Sequence, residues 1–82
     1  MKEYIIDSYS QDGDILFASG LDEAILGFDP ISFRVVYSRA MCVEVMSRDM
    51  SQEGAIEYLQ YNTFNAFVGD KTPIWVDDFY YD

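Results

Sequence analysis

The chain contains no histidine and one cysteine, Cys42. Without an imidazole, Ser-His-Asp and Cys-His catalysis are excluded in their usual forms, and so are histidine-based zinc sites. One thiol makes neither an intrachain disulfide nor a cysteine-rich metal site. Cations are scarce too: Lys2, Arg34, Arg39, Arg48 and Lys71 are scattered and form no basic patch, so direct nucleic-acid binding is not expected. No apolar run approaches the roughly 18 residues of a membrane span, and no charged-then-apolar leader opens the sequence, so neither a membrane segment nor a signal peptide is expected. Gly13, Gly20 and Gly27 stand alone, with no GxxxxGK loop for phosphate. No cofactor is implied, and a reducing cytoplasm fits the cysteine usage.

What is present is apolar and acidic. Eighty-two residues make one domain, half of them hydrophobic and 17% aromatic, which excludes a disordered chain. Fifteen acidic residues against five basic ones give a formal net charge of −10. Such a charge steers a protein toward basic partners, although it also serves solubility alone.

Residues 2–6 (KEYII) read as a short edge strand and 7–13 as a loop, while 14–18 (DILFA) is apolar but fits either helix or strand. Residues 21–29 fit a strand ending in the Asp29-Pro30 turn better than a helix, because Gly27 and Pro30 follow so closely. Residues 31–37 (ISFRVVY) are the best strand, alternating Ile31, Phe33, Val35 and Tyr37 with polar neighbours. Ser38 suits the N-cap of a helix from about Arg39 to Asp49, with Met41, Cys42, Val45 and Met46 as its apolar stripe. Glu44 and Arg48 have i,i+4 spacing there. A second helix follows Ser51, with Ala55, Ile56, Leu59, Thr63, Ala66 and Phe67 on its core face and Gly69 as its stop. A short strand after Pro73 completes the chain. The expected fold is α+β: a small, mostly antiparallel sheet with two helices packed on one face, in a single domain over 1–76 with an acidic-aromatic tail at 77–82.

The segments DEAILGFD at 22–29, RVVYSR at 34–39 and DMSQEGAIEYLQYNTFNAFVGDKTPIW at 49–75 resemble a family of small acidic proteins encoded by phages, prophages and other bacterial mobile elements. The most specific part is the helix ending in YN, followed by an aromatic, VG and TPIW at fixed spacing. The family carries no assigned activity, so the resemblance implies a mobile-element origin and a host-cytoplasmic setting, and no active site. One departure is Gly54, which stands where members usually carry an acid. The reciprocal capping box is therefore missing, at a cost of at most about 1 kcal/mol. The tail lies outside the shared pattern.

Catalytic readings are weak. Asp12-Gly13-Asp14 resembles the start of a calcium loop, but Leu16 and Phe17 occupy positions that need a ligand and a glycine. Carboxylate pairs (Asp22/Glu23, Glu53/Glu57, Asp77/Asp78) do acid–base work only when burial separates their pKa values. No enzyme activity is expected. Exposed aromatics beside carboxylates point instead to a partner surface: Glu53, Glu57, Tyr61 and Phe64 on the outer face of the second helix, with Asp77, Asp78, Phe79, Tyr80 and Tyr81 in the tail. The leading reading is a phage-encoded, anti-CRISPR-like inhibitor. It would bind the basic nucleic-acid-binding surface of a host defence protein, by analogy with acidic DNA mimics. The alternative is a homo-oligomeric structural or adaptor protein, a homodimer in its simplest form.

Overall fold

A computed structural model of the chain describes residues 1–78. The fold is α+β: helix α1 (Lys2–Tyr9), strands β1 (Ile25–Asp29) and β2 (Arg34–Ser38), helices α2 (Arg39–Met46) and α3 (Gln52–Leu59), and strand β3 (Ile74–Val76). The sheet order is β1-β2-β3. The β1–β2 pairing is antiparallel and the β2–β3 pairing parallel, so the sheet is mixed rather than mostly antiparallel. The two helices between β2 and β3 cause this, because they return the chain to the starting end of the sheet. A parallel neighbour needs that kind of crossover.

The expected first strand is a helix. In KEYII only Ile5 is buried, and the next residue on the core side is Tyr9, one helical turn on. Tyr4 and Ile6 are exposed, so three adjacent apolar residues imitate a strand while the 5, 9 spacing is helical. The apolar stretch at 14–18 forms no regular element, yet Ile15, Phe17 and Ala18 pack on the core. Within 21–29 a 3-10 turn (Asp22–Ala24) precedes β1. The β1–β2 register shifts between Ile25 and Gly27, leaving Leu26 exposed.

The hairpin turn is organised by Asp29. Its Oδ1 accepts from the Ile31 N–H at 3.0 Å, its Oδ2 accepts from the Ser32 hydroxyl at 2.7 Å, and its carbonyl accepts from the Phe33 N–H at 2.7 Å. These bonds hold the Asp29 carboxyl below the ordinary carboxylate range. They also delay β2 until Arg34. Ile31, the expected first strand residue, is therefore 94% exposed at the tip. Phe33 takes a left-handed φ of 62°, and its ring packs edge-on against Phe28 at 5.0 Å. Val35 and Tyr37 are buried as the alternation requires.

Ser38 caps α2 as expected, accepting the Met41 N–H at 3.1 Å, and Ser51 caps α3, accepting the Gly54 N–H at 3.0 Å. The central core comprises Ile5, Leu21, Ala24, Ile25, Val35, Tyr37, Cys42 and Leu59. The Glu44–Arg48 pair is replaced by a longer-range one. Arg48 donates to both oxygens of Glu23, at 2.8 and 3.0 Å, which ties α2 to the turn before β1 and holds the Glu23 carboxyl low.

Burial also decides the chemistry of Cys42. Its thiol pKa is pushed up to about 12 by desolvation. We expect native-state labelling by a thiol reagent to run far slower than in the unfolded chain, because thiolate is scarce and access requires opening. Stoichiometric labelling within the mixing time in native buffer would show that the site is open.

Candidate partner-binding face

The phase of the second helix is the main correction to the sequence reading. Regular α3 ends at Leu59 and continues as a π turn over Gln60–Phe64. A π turn closes bonds from i to i+5, so the residue stacked beneath Leu59 is Phe64 rather than Thr63. Phe64 is half-buried and packs on the Trp75 ring at 5.3 Å. It is therefore a core-flanking residue and not part of the outer face. Conversely, Ile56 is 44% exposed and Phe67 is 79% exposed, although a simple wheel places both inside. The helix has stopped before Phe67 is reached. The Asn65 side chain, donating to the Gln60 carbonyl at 2.8 Å, closes the π turn. Gly69, with φ 111°, serves the following turn, where Thr72 bonds its carbonyl, and it is not a helix cap.

The remaining candidates fall into two groups. Glu53 and Glu57 are exposed one turn apart on α3, and Tyr61 follows at 78% exposure. Asp77 and Asp78 lie at the start of α2. Asp77 pairs with Arg39 at 3.3 Å, and Asp78 accepts from the Ser38 hydroxyl at 2.6 Å. Helix α2 has no acid in its own first turn, so these two carboxylates supply the negative charge that its N-terminus favours. Arg39 joins the groups, with its guanidinium 5.0 Å over the Phe64 ring. Phe79, Tyr80 and Tyr81 lie outside the described residues.

The electrostatic balance is uneven. Every cation of the chain is engaged internally. Lys2 pairs with Asp22, and Arg34 donates to the carbonyls of Thr72 and Pro73. Arg39 pairs with Asp77 and Arg48 with Glu23. Lys71 donates to the Asp14 carbonyl and sits over the Phe33 ring. Among the described residues no ion pair reaches Glu53 or Glu57 on α3, or Glu44 and Asp49 near it. Their field points outward uncompensated. The carboxylate pair Asp22/Glu23 is divided between two partner cations, and the depressed carboxyl of Glu23 is an ion-pair anchor rather than a poised acid.

Sequence reasoning missed a second apolar surface. Phe67, Val68 and Leu16 are exposed around a cavity of about 220 Å³ floored by Trp75 and Pro73, with Tyr58 exposed on α3 nearby in sequence. The signal lay in Asn62 and Asn65, two weak helix formers that mark where the helix loosens. The Trp75 indole N–H is buried without an acceptor. Among the described residues no cluster of three or more His, Cys, Asp or Glu side chains could hold a metal, and no helix is long and apolar enough to cross a membrane. Comparisons with protein-family models, curated proteins and solved structures find nothing that this chain matches.

Proposed function

We propose that this chain is a stoichiometric inhibitor encoded by a phage or related mobile element, acting in the host cytoplasm on a basic nucleic-acid-binding surface of a defence protein. It is a binding protein without catalysis, of the anti-CRISPR kind. The observation that carries this reading is the commitment of all five cations to internal partners, while α3 presents Glu53, Glu57 and Tyr61 unpaired to solvent. Two carboxylates about 6 Å apart along a helix, flanked by an exposed ring, match what a phosphate-binding groove accepts: negative charge and a stacking surface. The resemblance to mobile-element proteins supports the setting.

The test uses purified CRISPR effector nucleases as probes. Their DNA cleavage is followed as the protein is titrated in, and binding rates are taken across a salt series. Inhibition that saturates near one equivalent, and is relieved by competing DNA, is the expected result. Joint Glu53→Gln and Glu57→Gln replacement is expected to slow association and flatten its salt dependence. Tyr61→Ala is expected mainly to speed dissociation, by about 1–3 kcal/mol. Asp77 and Asp78 are poorer probes, because their replacement also loosens the start of α2. Binding that ignores salt, DNA and all these variants would overturn the mimic. A tight, salt-resistant dimer in light scattering with Tyr61 at its interface would put the adaptor reading in its place.

A further inference from the structure

The seam between α2 and α3 is an open groove, and the described chain stops at one end of it. That end is lined by Arg39, Ala40, Val43, Ile56, Phe64 and Asp77 around a cavity of about 210 Å³. Ala40 and Val43 also border the next hollow, so the groove continues along α2 to Ser47 and Gln52. The lower cavity is smaller than the roughly 300–1,000 Å³ of a drug-sized pocket, which points to a side chain as occupant. Its apolar walls, Ala40, Val43, Ile56 and the Phe64 ring, are uncovered among the described residues.

The topology delivers one particular segment to this place. Strand β3 runs parallel to β2 with Val76 opposite Ser38, so the chain leaves β3 where β2 enters α2. Asp77 on Arg39 and Asp78 on the Ser38 hydroxyl then fasten the exit at the groove's mouth. Four residues follow Asp78, FYYD. Extended, they reach at most about 14 Å. The helix from Arg39 to Ser47 rises about 12 Å, so the segment can cover the whole seam. Three consecutive aromatics are the residues with most to gain from an apolar slot.

We propose that the α2–α3 groove is the docking site of this chain's own residues 79–82, with an aromatic side chain of that segment seated between Val43 and Ile56. Docking covers the one apolar seam at the chain's exit. It also carries Asp82 along the line of Glu44, Glu53 and Glu57, which joins tail and helix carboxylates into a continuous acidic face. Only that consequence rests on the proposed function. The docking itself is tested with no partner present, so the two ideas fail separately.

The experiment compares methyl NMR spectra of the 82-residue chain and a chain stopped after Asp78, which keeps every described contact. The Val43 and Ile56 methyls are expected to carry ring-current shifts that vanish on truncation, while those of Val35, deep in the sheet, stay in place. Unmoved Val43 and Ile56 methyls would overturn the proposal. Shifts that appear only at high protein concentration would assign the groove to a second copy's tail and overturn it equally. Filling the slot with Ala40→Phe provides an independent arm. Carboxypeptidase is expected to release residues 79–82 from that variant about ten-fold faster than from the parent, equivalent to about 1.4 kcal/mol of docking. Equal release rates count against docking.

Discussion

Leu59→Ala is expected to remove about 2–5 kcal/mol of stability, the range for truncating a buried leucine. Leu59 is 1% exposed and lies in the central core, at the point where α3 passes into the π turn. A domain of this size holds roughly 4–12 kcal/mol in total, so the variant is expected to sit near the limit of folding. Its thermal midpoint is expected to fall by about 8 °C or more. Ile56→Ala provides the internal contrast. A helical wheel puts both residues on one face, whereas the structure leaves Ile56 44% exposed, so its truncation is expected to cost less than half as much. Equilibrium urea denaturation of both variants decides the matter. Equal losses would mean that the core face of α3 is turned toward Ile56, and no loss at Leu59 would mean that the helix is wrongly placed.

Tyr37→Phe is expected to cost about 1–3 kcal/mol despite removing a single oxygen. The side chain is fully buried, stacked on Trp75 at 4.8 Å, and its hydroxyl accepts the Ala18 N–H at 2.7 Å. Ala18 belongs to the irregular stretch before β1, so that hydrogen bond ties an otherwise loose segment to the sheet. Without the oxygen the Ala18 N–H loses its partner in a partly buried position. Burial also raises the Tyr37 pKa above the ordinary value of 10.0. The folded state therefore keeps a proton that the unfolded chain releases. The resulting stability is complete below about pH 10 and is lost as pH rises through the folded value. Denaturation of parent and variant at neutral pH and above pH 10 checks both parts. A variant as stable as the parent at neutral pH would show that the hydroxyl contributes nothing, and parallel alkaline loss in both would assign that loss elsewhere.

The strands of the hairpin, both helix starts and the last strand are legible in the sequence because each is governed locally. Alternation buries Val35 and Tyr37, and Ser38 and Ser51 cap whatever follows them. The class, α+β, follows from those pieces. What the sequence obscures depends on contacts from afar. KEYII has a strand's composition and becomes a helix because only Ile5 finds the core. Arg48 has a partner in helical register yet reaches Glu23, twenty-five residues away. The phase of residues 60–67 fails for a geometric reason: a wheel assumes a constant angle per residue, and one wide turn rotates everything beyond it. That rotation draws Phe64 inward and sends Phe67 out, so the candidate face loses one aromatic and another emerges elsewhere. Glu53, Glu57 and Tyr61 precede or span the turn and keep their expected exposure.

The parallel pairing of β2 with β3 has a consequence for the order of folding. The hairpin joins residues five to twelve positions apart, from Asp29 with Arg34 to Ile25 with Tyr37. The other pairing joins Ser38 to Val76, thirty-eight positions apart. Loop-closure entropy favours the near contacts, so the hairpin forms while β2 still has one edge open. During that interval the edge is a template for any passing strand, including one from another copy. Pulsed hydrogen exchange during refolding is expected to protect β1 amides before those of β3; simultaneous protection would rule out this sequence of events. The vulnerable moment in the life of this small acidic protein is thus a kinetic one, ended when three residues near its far end arrive to close the sheet.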